Sequence, residues 1–141
     1  MLKTQLLHPG ILEALGGAGH GSKILIADGN YPFSTRAFTS AKRVYLNFAP
    51  GMLSATDVLR VLAGAIPVES ADVMVMDSGE EAPIIAEFRT LLQAMTPLAA
   101  HRRFAFYDLC RDSDTALVIA TGEQRIYANI LLTVGVVPPP Q

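Results

Sequence analysis

The sequence predicts a single layered α/β domain, and three observations predict it. Short apolar runs suited to strands alternate along the chain with amphipathic stretches suited to helices, the pattern of helices layered on a sheet. The 141 residues suffice for one buried core, with no linker or internal repeat to divide them. Apolar runs also end in polar residues beside glycine, as in Ala27-Asp28-Gly29 and Met76-Asp77-Ser78-Gly79. Strand ends of that kind are where α/β proteins keep their chemistry.

Each element follows from local signals. Pro9 to about Ala18 is read as a helix: Pro9 suits its first turn, Ile11, Leu12 and Leu15 share a face, and Gly16-Gly17 end it. Lys23 to Asp28 is a buried strand, followed by the turn-rich Gly29-Asn30-Tyr31-Pro32. Arg43 to Phe48 alternates and is a second extended segment. Ser54 or Thr56 caps a helix running to about Gly64, with Val58, Leu59 and Leu62 inward. Ala71 to Met76 is a third strand. Glu80 to Met95 is a helix with Ile84, Ile85, Phe88, Leu91 and Leu92 on its buried side. Arg103 to Asp112 fits two states: its aromatic density suits a strand, while Phe104 and Tyr107, three apart, share a helical face. Helix is the preferred reading. Thr115 to Ala120 is a strand, and the loop 121–125 leads through Tyr127-Ala128-Asn129 into a last apolar segment, Ile130 to Val134. The domain spans 1–137, and the proline-rich residues 138–141 form an extended tail beyond it.

Composition excludes several classes of function. Half the residues are hydrophobic and only 17% are charged, a low charge density that predicts burial of apolar surface between subunits. The net charge is −2 and the 11 basic residues are scattered, so no nucleic-acid groove is expected. The single cysteine, Cys110, rules out an internal disulfide and fits a reducing compartment. The N-terminus lacks a signal-like apolar region and no apolar run is long enough to span a membrane. A cytoplasmic protein with no membrane partner is the expectation.

The candidate chemistry begins at Gly19-His20-Gly21, an imidazole between glycines at the entrance of the strand that Asp28 leaves. The glycine cluster 16–21 is not a dinucleotide fingerprint, because it follows a helix and opens a strand rather than the reverse. No Walker-type sequence is present. His8, His20 and His101 are too dispersed for a local metal motif, so no metal is expected. Cys110 has no nucleophile signature and is read as a buried structural thiol. Ser78 lacks the Gly-x-Ser-x-Gly elbow, since Met76 stands at the first glycine position. Taken singly, His20 is a loop histidine, Asp28 a strand terminator, Arg103 a surface cation, and Tyr127 and Asn129 a turn.

Their joint occurrence reads differently. Gly19-His20-Gly21, Ala27-Asp28 with Pro32 four residues on, Arg103-Phe104-Ala105-Phe106-Tyr107, Thr121-Gly122-Glu123 and Tyr127-Ala128-Asn129-Ile130-Leu131 occur in that order. As a set they resemble the D-ribose pyranase and L-fucose mutarotase family over nearly the whole chain. The Arg-Phe-x-Phe-Tyr segment followed by Thr-Gly-Glu is more similar to the fucose mutarotase branch. The resemblance implies a three-layer α/β/α fold in a ring-like homo-oligomer, often a decamer, with sugar pockets near subunit contacts. It further implies cofactor-free interconversion of the anomers or ring forms of a monosaccharide. By position His20 is then the catalytic acid/base, and Asp28, Arg103, Tyr127 and Asn129 bind the sugar. His101, two residues from Arg103, is a further candidate.

The residue types suit that reaction. Opening a cyclic hemiacetal needs a proton on the ring oxygen and the loss of one from the anomeric hydroxyl, and an imidazole carries out both near neutral pH. Two alternatives accompany the fucose reading: a D-ribose pyranase, and a non-catalytic sugar-binding or transport-associated module.

Overall fold

A computed structural model describes residues 1–141. Its centre is a six-stranded sheet in the order β2-β5-β1-β6-β3-β4. The strands are β1 (Lys23–Ala27), β2 (Lys42–Tyr45), β3 (Val68–Met74), β4 (Leu98–His101), β5 (Thr115–Ala120) and β6 (Ile130–Val134). β6 alone runs antiparallel, to both β1 and β3, and the other pairs are parallel. This direction matters for the site: the carboxyl ends of β1, β3, β4 and β5 and the amino end of β6 share one edge of the sheet.

Four helices cover the sheet: α1 (Pro9–Gly17), α2 (Ala55–Ala63), α3 (Ile84–Leu91) and α4 (Arg103–Cys110). Period-two alternation sends successive strand residues to opposite faces. Ile24, Ile26, Leu117, Ile119, Ile130 and Leu132 pack on one face against Ile11 of α1, Leu59 and Leu62 of α2, and Ile85 and Phe88 of α3. Leu25, Ala27, Val118, Leu131 and Met74 pack on the other against Phe106 and Cys110 of α4 and against Tyr31, Ala37 and Ala41. The fold is therefore the expected α/β/α arrangement, with α4 and the segment after β1 forming the thinner outer layer.

The departures from expectation have local causes. The helix expected over 80–95 forms only from Ile84 to Leu91. Pro83 lacks an amide hydrogen and sits at the N-cap, and the extended backbone of Leu92 ends the last turn. The third strand starts three residues early, at Val68, because β6 pairs with it as far as Val134. β4 carries no strand signal in its Leu-Ala-Ala-His sequence; its parallel pairing with β3, Ala71 beside Leu98 through Met74 beside His101, makes it a strand. Arg103–Cys110 is the preferred helix, burying Phe106 and Cys110 four apart. Ser54 caps α2 in a reciprocal capping box with Asp57.

The loop between β2 and α2 is pressed onto the segment after β5. Gly51 N donates to Gly122 O at 2.6 Å, and Gly122 N donates to Leu53 O at 3.0 Å. A Cβ on Gly122 would stand 2.2 Å from Met52 O and 2.4 Å from Ala49 O, both backbone atoms that no rotamer change can move. Gly122→Ala is accordingly expected to destabilise the protein by about 2–3 kcal/mol through overpacking. That corresponds to a Tm lower by roughly 6–10 °C for a chain of this size, as read by thermal unfolding. An unchanged Tm would mean that this loop is not docked as described.

Candidate active site

Asp28 and Asn129 form the floor of a cavity of about 290 Å³ at the carboxyl edge of the sheet. The antiparallel register of β1 and β6 sets Ile26 beside Ile130. Asp28, which follows the last residue of β1, thus meets Asn129, which precedes the first residue of β6, although 101 positions separate them in sequence. Asp28 N donates to Asn129 Oδ1 at 2.8 Å, and Asn129 Nδ2 donates to Asp28 Oδ2 at 3.0 Å. Asn30 N donates to the other carboxylate oxygen, Oδ1, at 2.9 Å. Both side chains are almost fully buried. Burial pushes the Asp28 carboxyl above its ordinary range, against the hydrogen bonds from Asn30 and Asn129 that pull it down.

Arg103 and Tyr127 form one wall. Arg103 opens α4 two residues beyond β4, and its Nη2 donates to Tyr127 Oη at 3.3 Å. The same nitrogen donates to Asp77 at 3.1 Å, and the guanidinium carbon lies 5.9 Å from the centre of the Tyr127 ring. Tyr127 holds a left-handed backbone, φ 63°, which turns its ring towards the cavity. Met74, Tyr107 and the exposed Ile126 add apolar surface. The result is a buried polar floor, a guanidinium and phenol on one side, and apolar surface beside them. Such a cavity fits a small polyol with one apolar face.

Four of the five candidate residues thus meet. His20 does not join them within one chain. It precedes β1, at the opposite edge of the sheet, where Gly21 N donates to Val134 O at 2.9 Å. The five residues of β1 alone separate it from Asp28 by about 16 Å. There His20 Nε2 lies 2.9 Å from Glu69 Oε2, and both side chains are more than half exposed. His101 is held elsewhere too, with Nε2 at 2.7 Å from Asp72 Oδ1, and does not line the cavity.

Glu123 and Arg125, whose roles the sequence alone did not distinguish, brace the loop that carries Tyr127 and Asn129. The buried Glu123 carboxylate accepts from Ala55 N at 3.1 Å, from Arg125 N at 2.9 Å and from Arg125 Nη2 at 2.8 Å. Arg125 also reaches Glu87 on α3 at 2.8 Å. Thr121 Oγ1 donates to Ala27 O at 2.7 Å, and Gly29 N donates to Glu123 O at 2.9 Å. The Thr-Gly-Glu segment is therefore scaffolding that ties the ends of β1 and β5 together. In the sequence this segment is legible as the Thr-Gly-Glu motif of the resemblance, with Arg125 two residues beyond Glu123, but not as a brace. Cys110 is fully buried, and burial pushes its thiol up to about 12, so it is a packing group as expected. No group of three or more His, Cys, Asp or Glu side chains is arranged to hold a metal ion. No helix is long and apolar enough to cross a membrane.

The sequence profile of the RbsD / FucU transport protein family matches residues 1–137. Among curated relatives, a D-ribose pyranase of Chloroflexus aggregans is 30% identical, with 97% of this chain and 99% of the relative aligned. The human fucose mutarotase is 34% identical, covering 93% of this chain and 90% of its own length. A fucose mutarotase from Streptococcus pneumoniae, solved in complex with L-fucose, superposes with a TM-score of 0.82 at 28% identity, over 97% of this chain and all of that one.

Proposed function

The chain belongs to the RbsD / FucU transport protein family, and from that premise we propose that it is an isomerase that interconverts the anomers of a monosaccharide. L-fucose or a related sugar is the substrate class, with the pyranose and furanose forms of D-ribose as the second reading, which the ribose pyranase relative favours. The observation that carries the proposal is the closed pair of Asp28 and Asn129 under Arg103 and Tyr127. It offers fixed donors and acceptors to sugar hydroxyls in a cavity of monosaccharide scale.

In the proposed reaction His20 is the catalytic acid/base. A proton is delivered to the ring oxygen as its bond to the anomeric carbon breaks. The anomeric hydroxyl gives up its proton as it becomes the carbonyl of the open chain. Rotation about the next carbon–carbon bond and closure on the other face reverse both transfers, so no electrons are exchanged and no cofactor is consumed. Asp28 and Asn129 hold hydroxyls, Arg103 provides a fixed fork of donors, and Tyr127 offers its ring to the apolar sugar face.

Because His20 lies at the far edge of its own sheet, we propose that a neighbouring copy's His20 completes each pocket in a closed homo-oligomeric ring. The exposed Phe104 and Ile126 beside the pocket, and Val136 and Val137 beyond β6, support buried subunit contacts. A cytoplasmic setting belongs to the same proposal.

The test is anomeric exchange by NMR on L-fucose and D-ribose. Acceleration of either above its buffer rate is expected. Sugar binding with every exchange rate at the buffer value would leave a binding module instead. Glu69 orients the His20 ring in this reading, and Glu69→Gln keeps a hydrogen-bonding group there without the charge. Loss of one charge-assisted hydrogen bond is expected to lower the exchange rate by roughly tenfold while leaving sugar affinity unchanged. An unaltered rate would remove Glu69 from the mechanism.

A further inference from the structure

A second cavity, of about 440 Å³, adjoins the sugar pocket, and of its lining residues only Asn30 also lines the pocket. We propose that this cavity is a second sugar subsite, which takes one further ring of a saccharide whose reducing end occupies the first pocket. The inference rests on the mutarotase reading and extends it from free monosaccharides to short reducing oligosaccharides.

Three features support a built subsite. First, its walls are fixed in advance. The segment Asn47–Pro50 forms one side and Thr121–Gln124 the other. The hydrogen bonds between Gly51 and Gly122, between Gly122 and Leu53, and between Gly29 and Glu123 lock them together. With no room for a Cβ on Gly122, the two walls are already in backbone contact at the base of the cavity, so its shape is set before anything binds.

Second, the polar groups are of the sugar-binding kind and are free. The side-chain amides of Asn30, Asn47 and Gln124 all line the cavity, and none of them hydrogen-bonds within the chain. Each offers a carbonyl acceptor and two N–H donors, matching the paired donor and acceptor character of sugar hydroxyls. Phe48, 87% exposed, stands at the same cavity and gives an aromatic face for the C–H side of a ring.

Third, the charge balance selects a neutral ligand that is held and not cut. Glu123 is the only carboxylate in the lining, and it is committed to Arg125 and Ala55 N. Neither a free cation for a phosphate nor a free anion for an amine remains. Cleavage of a glycosidic bond typically uses two carboxyl groups flanking it, and this cavity offers none that is free. A second ring placed here is bound intact while the reducing end opens and closes next door. Asn30 stands between the two sites and contacts both rings.

The experiment compares L-fucose and D-ribose with galactosyl-L-fucose and glucosyl-D-ribose, each disaccharide carrying a free reducing end, on the intact assembly. Exchange NMR reads turnover of the reducing end, and saturation transfer reads contact with the second ring. The expected result is accelerated exchange at the disaccharide reducing end and strong saturation of the distal ring. Phe48→Ala and Asn47→Ala are each expected to weaken disaccharide binding by about fivefold or more while leaving monosaccharide exchange unchanged. Disaccharide exchange at the buffer rate, beside an accelerated monosaccharide, overturns the subsite. So does an equal loss for both ligands, or a change in assembly mass on Phe48→Ala, which would make Phe48 a subunit contact. Failure to accelerate any monosaccharide overturns the mutarotase reading instead, and distal-ring saturation dependent on Phe48 still reports the subsite separately.

Discussion

Replacing His20 by alanine is expected to abolish most of the exchange acceleration, by roughly 10²–10⁴-fold as for loss of a positioned acid–base group, while sugar affinity stays near that of the unaltered protein. The second half follows from geometry. Asp28, Asn129, Arg103 and Tyr127 form their contacts with one another without His20. The separation of His20 from that pocket gives the prediction a sharper form. Asp28→Asn should also be inactive, because Asp28 accepts from both Asn30 N and Asn129 Nδ2 and an amide must turn a donor towards one of them. If each pocket takes its imidazole from a neighbour, subunits carrying His20→Ala and subunits carrying Asp28→Asn complement each other. Random mixing in a closed ring with one shared pocket per contact restores about a quarter of the pockets. Co-refolding or co-expressing the two and measuring exchange reads this directly. Activity no higher than that of either variant alone would mean that His20 acts within its own chain or not at all.

The largest effect on stability is expected at Glu123. Its carboxylate is 4% exposed and is held well below the usual range, at about 2, chiefly by the Arg125 side chain, with backbone donors at Arg125 and Ala55 adding to the effect. Glu123→Ala strands these donors, among them the first amide of α2, at Ala55. The Arg125 side chain, 42% exposed, can turn to water. The stranded backbone N–H groups of Ala55 and Arg125, however, cost about 1–3 kcal/mol each, which together lower Tm by on the order of 10 °C for this length. The pH dependence has a defined sign. A carboxyl whose folded value lies below its unfolded value of 4.5 contributes its full stabilisation above that pH. The contribution fades as pH falls towards 2. Acid unfolding of the unaltered protein should therefore carry a component between about pH 4.5 and 2 that Glu123→Gln lacks. Equal acid midpoints for the two proteins would mean that the ion pair does not form. Because the same loop carries Tyr127 and Asn129, loss of sugar affinity should accompany loss of stability.

Local periodicity was enough for most elements. Ile24 to Ala27, Leu117 to Ala120 and Ile130 to Val134 read as strands because burial on both faces demands continuous apolar runs. Phe106 and Cys110, one helical turn apart, bear out the helix at 103. β4 was not legible, since its Ala-rich sequence is a strand only through its pairing with β3. The amphipathic spacing over 80–95 runs past both ends of the helix at 84–91, beyond the residues whose backbone can stay helical.

The sequence by itself determined the layered fold, the order of the motifs and the set of side chains from which a sugar site could be made. Pattern and residue chemistry are properties of the chain. The tertiary structure alone decided which of those side chains meet. Antiparallel pairing of β1 with β6 brings Asp28 to Asn129, and the short β4 delivers Arg103 to Tyr127. His101 is drawn away to Asp72, and His20 is left on the opposite edge beside Glu69. Distance along a strand and the direction of its neighbour, neither of which is encoded in a motif, set the geometry of the site.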